Sequence, residues 1–430
     1  MSHRGTAPAD IGVRAGRIAE IGGLSPADAD QAIDVTGLHV LPGMIDTQVH
    51  FREPGMEERE DLESGSRAAV LGGVTAVFEM PNTRPTTTDP DALADKVRRA
   101  TNRMWCDFGF YFGASPENAG MLGEWERLPG CCGVKVFMGS STGDLLLDDE
   151  DDLRRVLASG TRRIAVHAED EVRLKERKAF AKDSAHTHPV WRDEETALRA
   201  TQRLVRLASE AGRRVHVLHV TTAQELAFLA DHKDVASVEV TPQHLTLASP
   251  DCYDALGTRA QMNPPIRDAN HREALWRALA AGVVDVIGSD HAPHTLEDKA
   301  RPYPQSPSGM PGVQTIVPIM LDHVAQGRLT LLQVHDLLCA GPARLFGLMG
   351  KGRLAAGYDA DFTVVDLQAR RTITDSIIAS KCGWTPYDGM EVTGWPIMTI
   401  VRGAVVMRDG ELSGAAAGGQ ALRFWEGRPT

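Results

Sequence analysis

Gly133-Val134-Lys135-Val136-Phe137-Met138 is an apolar run broken once, by a lysine. A stretch with helical spacing follows, Asp149–Ala158, and then a second apolar run, Ile164-Ala165-Val166-His167. Short apolar runs separated by longer amphipathic stretches are the pattern of parallel strands joined by helices. The pattern extends both ways. Upstream, Val74–Glu79 precedes the helix-like Asp89–Arg103. Downstream, Ile164–His167 leads through a polar stretch to Glu194–Ala211, and Arg214–His219 precedes Thr222–Ala230. Ser237–Thr241 comes next, and the helix-like His271–Ala280 leads to Val283–Ser289. Alternation over about 300 residues predicts an α/β fold with a parallel sheet, either a (β/α)8 TIM barrel or an open doubly wound sheet.

The ends of the chain read differently. Ile11–Gly22 predicts a hairpin turning at Arg14-Ala15-Gly16-Arg17. Gly357–Asp366 predicts a strand, and Thr399–Val406 another. Together they suggest one small β-sandwich-like unit built from both chain ends. The expected division is residues 1–41 and 348–430 for that unit and 42–347 for the barrel. There is no internal repeat, and Ser413–Gln420 is the one Gly/Ala-rich tract.

Composition narrows the function. Of 430 residues, 42% are hydrophobic and 24% charged, enough for a packed core. The net charge of −12 argues against non-specific nucleic-acid binding and against anionic membrane surfaces. Cys106, Cys131, Cys132, Cys252, Cys339 and Cys382 form no C-x-x-C pair and are expected to be free thiols in a reducing cytoplasm. No signal-like run opens the chain, and no apolar stretch reaches membrane-spanning length.

In a β/α barrel the site is built at the carboxyl ends of the strands. Five strand ends carry chemistry: His50 after Val40–Val49, Lys135, His167, His219 and Asp290. One such histidine alone is usually a packed or surface residue; five at one structural position point to Zn²⁺ or a similar ion. An ammonium cannot bind a cation, so Lys135 belongs in such a set only if CO₂ converts it to a carbamate that can bridge two ions. The plain alternative is a surface lysine in a salt bridge, but its apolar neighbours make a bare charge costly. His186 and His188 lie in a polar linker and read as structural. His244 and His291 read as hydrogen-bonding neighbours, and His216 as a core or interface residue.

Asp46-Thr47-Gln48-Val49-His50-Phe51-Arg52-Glu53-Pro54-Gly55 resembles the D-x-H-x-H-x-R-E-P-G opening of dihydroorotases. Glu79–Thr83 resembles their M-P-N-T segment. Val134–Gly143 resembles the carbamyl-lysine strand of a bacterial branch. Val166–Glu169, Leu218–Val220, Asn263–Arg267, Ser289–His294 and Gly309–Gly312 complete the likeness, which runs from about residue 11 to about residue 412. The resemblance implies one or two zinc ions held by His50, carboxylated Lys135, His167, His219 and Asp290. Asp290 would also move the proton of the attacking water. Arg52, Asn82 and His294 would grip a ring carboxylate, and Asn263 with the backbone at Pro311 and Gly312 would contact the rest of the ring.

The implied reaction is reversible hydrolysis of the cyclic amide of dihydroorotate to carbamoyl aspartate, in pyrimidine biosynthesis. Arg52 favours it over hydantoin or allantoin hydrolysis, whose substrates lack the ring carboxylate that a guanidinium receives in two bonds. The implied partners are a small anionic cyclic amide, a second copy of the chain in a homodimer, and aspartate transcarbamoylase. Two features depart from the pattern. Gln48 stands where a first histidine is expected, and an amide oxygen is the poorer zinc ligand. Three readings stay open: a one-metal enzyme resting on Lys135, His167 and His219; weak binding through Gln48 or a water in its place; and a silent homologue scaffolding aspartate transcarbamoylase. The chain also reaches its hairpin early, so either it begins late or the β-unit lacks a strand and exposes an edge.

Overall fold

The computed structural model describes residues 5–140 and 145–425. Ser141, Thr142 and Gly143 of the run after the lysine strand lie outside the described residues. Eight parallel strands follow one another around a barrel in sequence order: Met44–Val49, Val74–Glu79, Asp107–Gly113, Cys131–Phe137, Ile164–His167, Val215–Val217, Ala236–Val240 and Val286–Ile287. The ring closes where Val49 bridges His291 and the His50 amide donates to the His291 carbonyl at 2.7 Å. All residues of these strands are buried, as expected when helices cover a parallel sheet. Among the described residues no helix is long and apolar enough to cross a membrane.

The outer helices start where the sequence supplies caps. Asp61, Asp89, Asp149, Asp193, Thr222 and Asp268 each accept hydrogen bonds from backbone amides of the first turn. The helix Glu194–Ala211 and the strands Val74–Glu79 and Ile164–His167 have the bounds their apolar spacing predicts.

Other elements differ from the sequence reading. Asp107-Phe108-Gly109-Phe110-Tyr111-Phe112-Gly113 is the third barrel strand, unread because glycine and aromatics replace the aliphatic run. The run read as one strand from Val40 to Val49 breaks at Gly43, where the chain passes from the small sheet (His39–Pro42) into the barrel. A Cβ at Gly43 would lie 2.1 Å from Thr75 Oγ1, so the crossing excludes a side chain. Thr399–Val406 is two strands: Glu391–Val401 and Ala404–Arg408 flank a tight turn in which Arg402 and Gly403 both take positive φ. Only Val286 and Ile287 of Val283–Ser289 pair as a strand.

Both chain ends do build the small domain. His39–Pro42 pairs antiparallel with Phe362–Thr372 at the edge of a five-stranded sheet, and the hairpin Asp10–Arg14 with Arg17–Gly22 forms a separate two-stranded sheet. A buried charge cluster ties this domain to the foot of the third barrel strand. Lys351 donates to Asp107 and Asp361 and sits 3.3 Å from Asp359, while Arg402 reaches Asp107 at 2.7 Å. Burial alone would lower the Lys351 pKa, but these carboxylates outweigh it and raise it above the ordinary lysine value. Lys351→Met would leave buried Asp361 without its cation, Arg402 remaining on Asp107 and Asp359, and is expected to destabilise the protein by about 3–5 kcal/mol, measured by denaturant unfolding. A change under about 1 kcal/mol would contradict this role.

Candidate active site

At the carboxyl mouth of the barrel, Gln48, His50, Lys135, His167, His219, Asn263 and Asp290 line one pocket, with Phe137, Ala292, Ser308 and Gly309. The backbone is strained where it turns these groups inward. Arg52, His219 and Asp290 adopt φ of 62°, 38° and 44°, a region that costs non-glycine residues of order 1–3 kcal/mol each. Such strain persists only where surrounding structure enforces it.

The histidines form two pairs. His50 Nδ1 bonds Asn82 Oδ1 at 2.8 Å, an acceptor, so its proton lies there and its Nε2 lone pair faces Asp290 Oδ1 at 3.2 Å. His167 Nε2 bonds Glu169 Oε2 at 2.9 Å, which leaves His167 Nδ1 facing His219 Nε2 at 3.1 Å. Burial would raise Glu169, but Arg192 and His167 hold it well below the usual carboxylate range. Burial likewise lowers the pKa of His50, His167 and His219, keeping their rings neutral and their lone pairs free. Two imidazole nitrogens converging on one point, one ring backed by a carboxylate, form a donor arrangement suited to a metal ion.

Lys135 lies among them. It is 1% exposed and makes no hydrogen bond or ion pair among the described residues. Burial lowers its pKa to about 7, while Asp290 and Glu239 raise it. Its charge in turn lowers His167 and His219. Among the described residues no three of His, Cys, Asp and Glu come together as a cation site on their own. The donors therefore fit a metal as two pairs that a carboxylate at Lys135 Nζ would join.

Gln48 Nε2 donates to Asp290 Oδ1 at 2.8 Å, while Gln48 Oε1 is buried without a partner. The residue thus secures the carboxylate that His50 also bonds. Beneath this layer Glu239 accepts from Thr47 at 2.5 Å and lies 3.3 Å from His216. Burial raises the Glu239 pKa to about 8. His216 belongs to this barrel interior rather than to the metal-facing mouth.

Arg52 is 2% exposed. Its Nε donates to Pro293 O at 3.3 Å, its Nη2 lies 3.4 Å from His294 Nε2, and no carboxylate among the described residues pairs with it. Burial lowers its pKa to about 10, leaving it charged at neutral pH. His294 Nε2 lies 3.0 Å from Ser308 O. Pro311 and Gly312 stand behind this layer: the Gly312 amide donates to His291 Nδ1 at 3.1 Å, and Ser308 and Gly309 form the pocket wall instead.

Several residues support the site; His188 reads as structural from the sequence, while Arg192 and Lys299 carry no role there. His188 is fully buried and bonds Asn263 Oδ1 at 2.9 Å and Met262 O at 3.0 Å. Arg192 joins Glu169 to Ser140 O. Lys299 Nζ donates to Gln261 O, Pro307 O and Gly309 O at 3.1, 2.8 and 3.0 Å. Only Glu169 had a local signal, two residues after a strand-end histidine.

Residues 39–406 match the model of the amidohydrolase family, and the chain belongs to that family. It is 39% identical over 419 residues to a dihydroorotase of Halobacterium salinarum, covering 95% of each chain. It is 36% identical to a dihydroorotase of Pyrococcus furiosus (96% of this chain, 92% of the relative) and 35% identical to one of Bacillus licheniformis (94% and 95%). Among solved structures, the L-hydantoinase (dihydropyrimidinase) of Arthrobacter aurescens superposes with a TM-score of 0.91 at 32% identity, covering 98% of this chain and 97% of that one. A D-hydantoinase from Thermus sp. gives 0.89 at 27%, covering 99% and 97%.

Lys299 holds the pocket wall by three hydrogen bonds to backbone carbonyls, each worth about 0.5–1.5 kcal/mol. Lys299→Met is expected to speed hydrogen exchange at the Gly309 amide at least about tenfold, read by mass spectrometry on the intact protein. Unchanged exchange there would mean the wall is held by other contacts.

Proposed function

We propose that this protein is a dihydroorotase, hydrolysing the cyclic amide of dihydroorotate to carbamoyl aspartate and running the reverse ring closure. The observation that carries the reading is Arg52: a buried guanidinium beside the candidate metal donors, with no carboxylate partner of its own among the described residues. An unpaired buried charge is costly unless an anion completes it. A ring carboxylate does so with two parallel hydrogen bonds. Hydantoins and allantoin carry no such group, which separates this chain from the hydantoinases that share its fold.

His50, Lys135 as a carbamate, His167, His219 and Asp290 would hold the metal, with zinc the ion best suited to these donors. When bound, the metal supplies Lewis acidity toward the ring carbonyl and the attacking water. Lys135 is prepared for modification, because a pKa of about 7 leaves much of its amine neutral and nucleophilic toward CO₂. Forming the N–C bond releases one proton and leaves a carboxylate. Asp290 Oδ1 accepts from Gln48 Nε2 and faces the His50 Nε2 lone pair across 3.2 Å, and no hydrogen bond among the described residues occupies its second oxygen. That oxygen can take the proton of the attacking water and return it to the leaving ring nitrogen. Arg52 orients the ring by its carboxylate, and Asn263, held by His188, contacts the ring's far side.

Two experiments test this reading. Arg52→Met removes two charge-assisted bonds of about 1.5–3 kcal/mol each, so kcat/KM for dihydroorotate should fall at least about a hundredfold. Turnover of a hydantoin, if measurable, should be nearly unaffected. Dihydroorotate turnover that survives intact would sink the carboxylate assignment. Gln48 offers an amide where imidazole would complete a second metal position. The purified protein is therefore expected to hold about one zinc per chain and the Gln48→His variant about two, by elemental analysis in bicarbonate. Equal metal content in both would contradict this role for Gln48.

A further inference from the structure

The fifth and sixth barrel strands, Ile164–His167 and Val215–Val217, lead to His167 and His219 at the carboxyl mouth. At the opposite mouth the residues just before them are basic: Arg162, Arg163 and Arg214. With Arg127 they line a cleft whose apolar wall includes Phe346 and Trp425. In a chain of net charge −12, four arginines around one cleft are unexpected. Among the described residues none of the four side chains is ion-paired. Arg162 Nη1 donates to Cys131 O at 2.8 Å and Arg163 Nη1 to Val215 O at 2.9 Å, which leaves most of their donors unused. Arg163 Nε is buried and has no partner. Arg127 and Arg214 are exposed and make no side-chain hydrogen bond among the described residues. Burial and neighbouring Arg214 lower the Arg163 pKa to about 10, the sign of a cation held near a like charge.

Clustered guanidinium groups with free donors match phosphate oxygens, which they bind in planar two-bond pairs. The apolar wall adds a second requirement. Trp425 is 65% exposed, the most exposed large apolar side chain among the described residues. Phe346 and the exposed Trp425 give the cleft flat faces beside its charges, and behind them Arg162 stacks 4.8 Å from the buried Phe424 ring. A ligand that satisfies both carries several negative charges and a planar ring.

We propose that this cleft, at the mouth of the barrel opposite the catalytic pocket, binds a nucleoside phosphate, with its phosphates on Arg127, Arg162, Arg163 and Arg214 and its base against Trp425. The site is separate from the catalytic one: Cys132 at its floor and Lys135 in the catalytic pocket lie on the same strand, three residues and roughly 10 Å apart.

The test is calorimetric titration of the full-length protein with adenosine triphosphate and, separately, inorganic pyrophosphate, both with excess Mg²⁺. Saturable binding of the nucleotide at about one site per chain is expected. Arg127→Gln/Arg214→Gln should weaken both probes at least about tenfold, because these exposed side chains make no hydrogen bond or ion pair among the described residues. Trp425→Ala should weaken the nucleotide and spare pyrophosphate. Arg52→Met, in the catalytic pocket, should change neither. No saturation below about 1 mM, or unchanged affinity in the double arginine variant, would overturn the site. Loss of binding in Arg52→Met would move the ligand to the catalytic pocket and equally overturn it. A nucleotide affinity indifferent to Trp425→Ala would overturn the nucleoside assignment.

Discussion

The site depends on what surrounds the amine of Lys135. A buried lysine whose Nζ makes no hydrogen bond or ion pair among the described residues, with only the Phe137 ring 4.5 Å away, is an unfavourable thing to build into a core. Two histidines on neighbouring strands face each other beside it, and their rings are kept neutral by the same burial. Burial favours the neutral amine here. The carbamate proposed above would remove the charge and supply the carboxylate that the two pairs of donors lack.

The rest of the structure serves this geometry. Sequential parallel strands bring His50 and Asp290, separated by 240 positions, to one mouth. Closure through the His50 amide and the His291 carbonyl fixes the first and last strands. A second layer of groups orients the first: Glu169 and Arg192 behind His167, Asn82 on His50, His188 on Asn263, Lys299 on the pocket wall. The small sheet contributes through Lys351, whose charge is shared by aspartates of both parts of the chain.

Much of this could be read in the residues. Alternating apolar and amphipathic runs reveal the barrel, and strand-end positions single out His50, Lys135, His167, His219 and Asp290. The structure brings these five to one pocket, because a buried parallel strand must be apolar and its end opens at the barrel mouth. The third strand escaped because Gly109 and three phenylalanines break the aliphatic signal; a Cβ at Gly109 would lie 2.8 Å from Cys132 Cβ. The hairpin at Arg402-Gly403 escaped because its turn is flanked by valines on both sides. Apart from Glu169 the supporting residues had no local signal for the site, since Lys299 and His188 act on backbone and side chains 8 to 115 positions away, brought together only by the fold. Gln48 was visible as a departure, but its bond to Asp290 was not.

The most direct test of the central claim is a crystal structure of the protein grown with zinc, bicarbonate and carbamoyl aspartate, with the metal located by anomalous scattering. The account predicts a carboxylated Lys135, zinc between it and His167 with His219, and the ligand's carboxylate on Arg52. An unmodified Lys135 with zinc elsewhere, or a ligand whose carboxylate ignores Arg52, would contradict it.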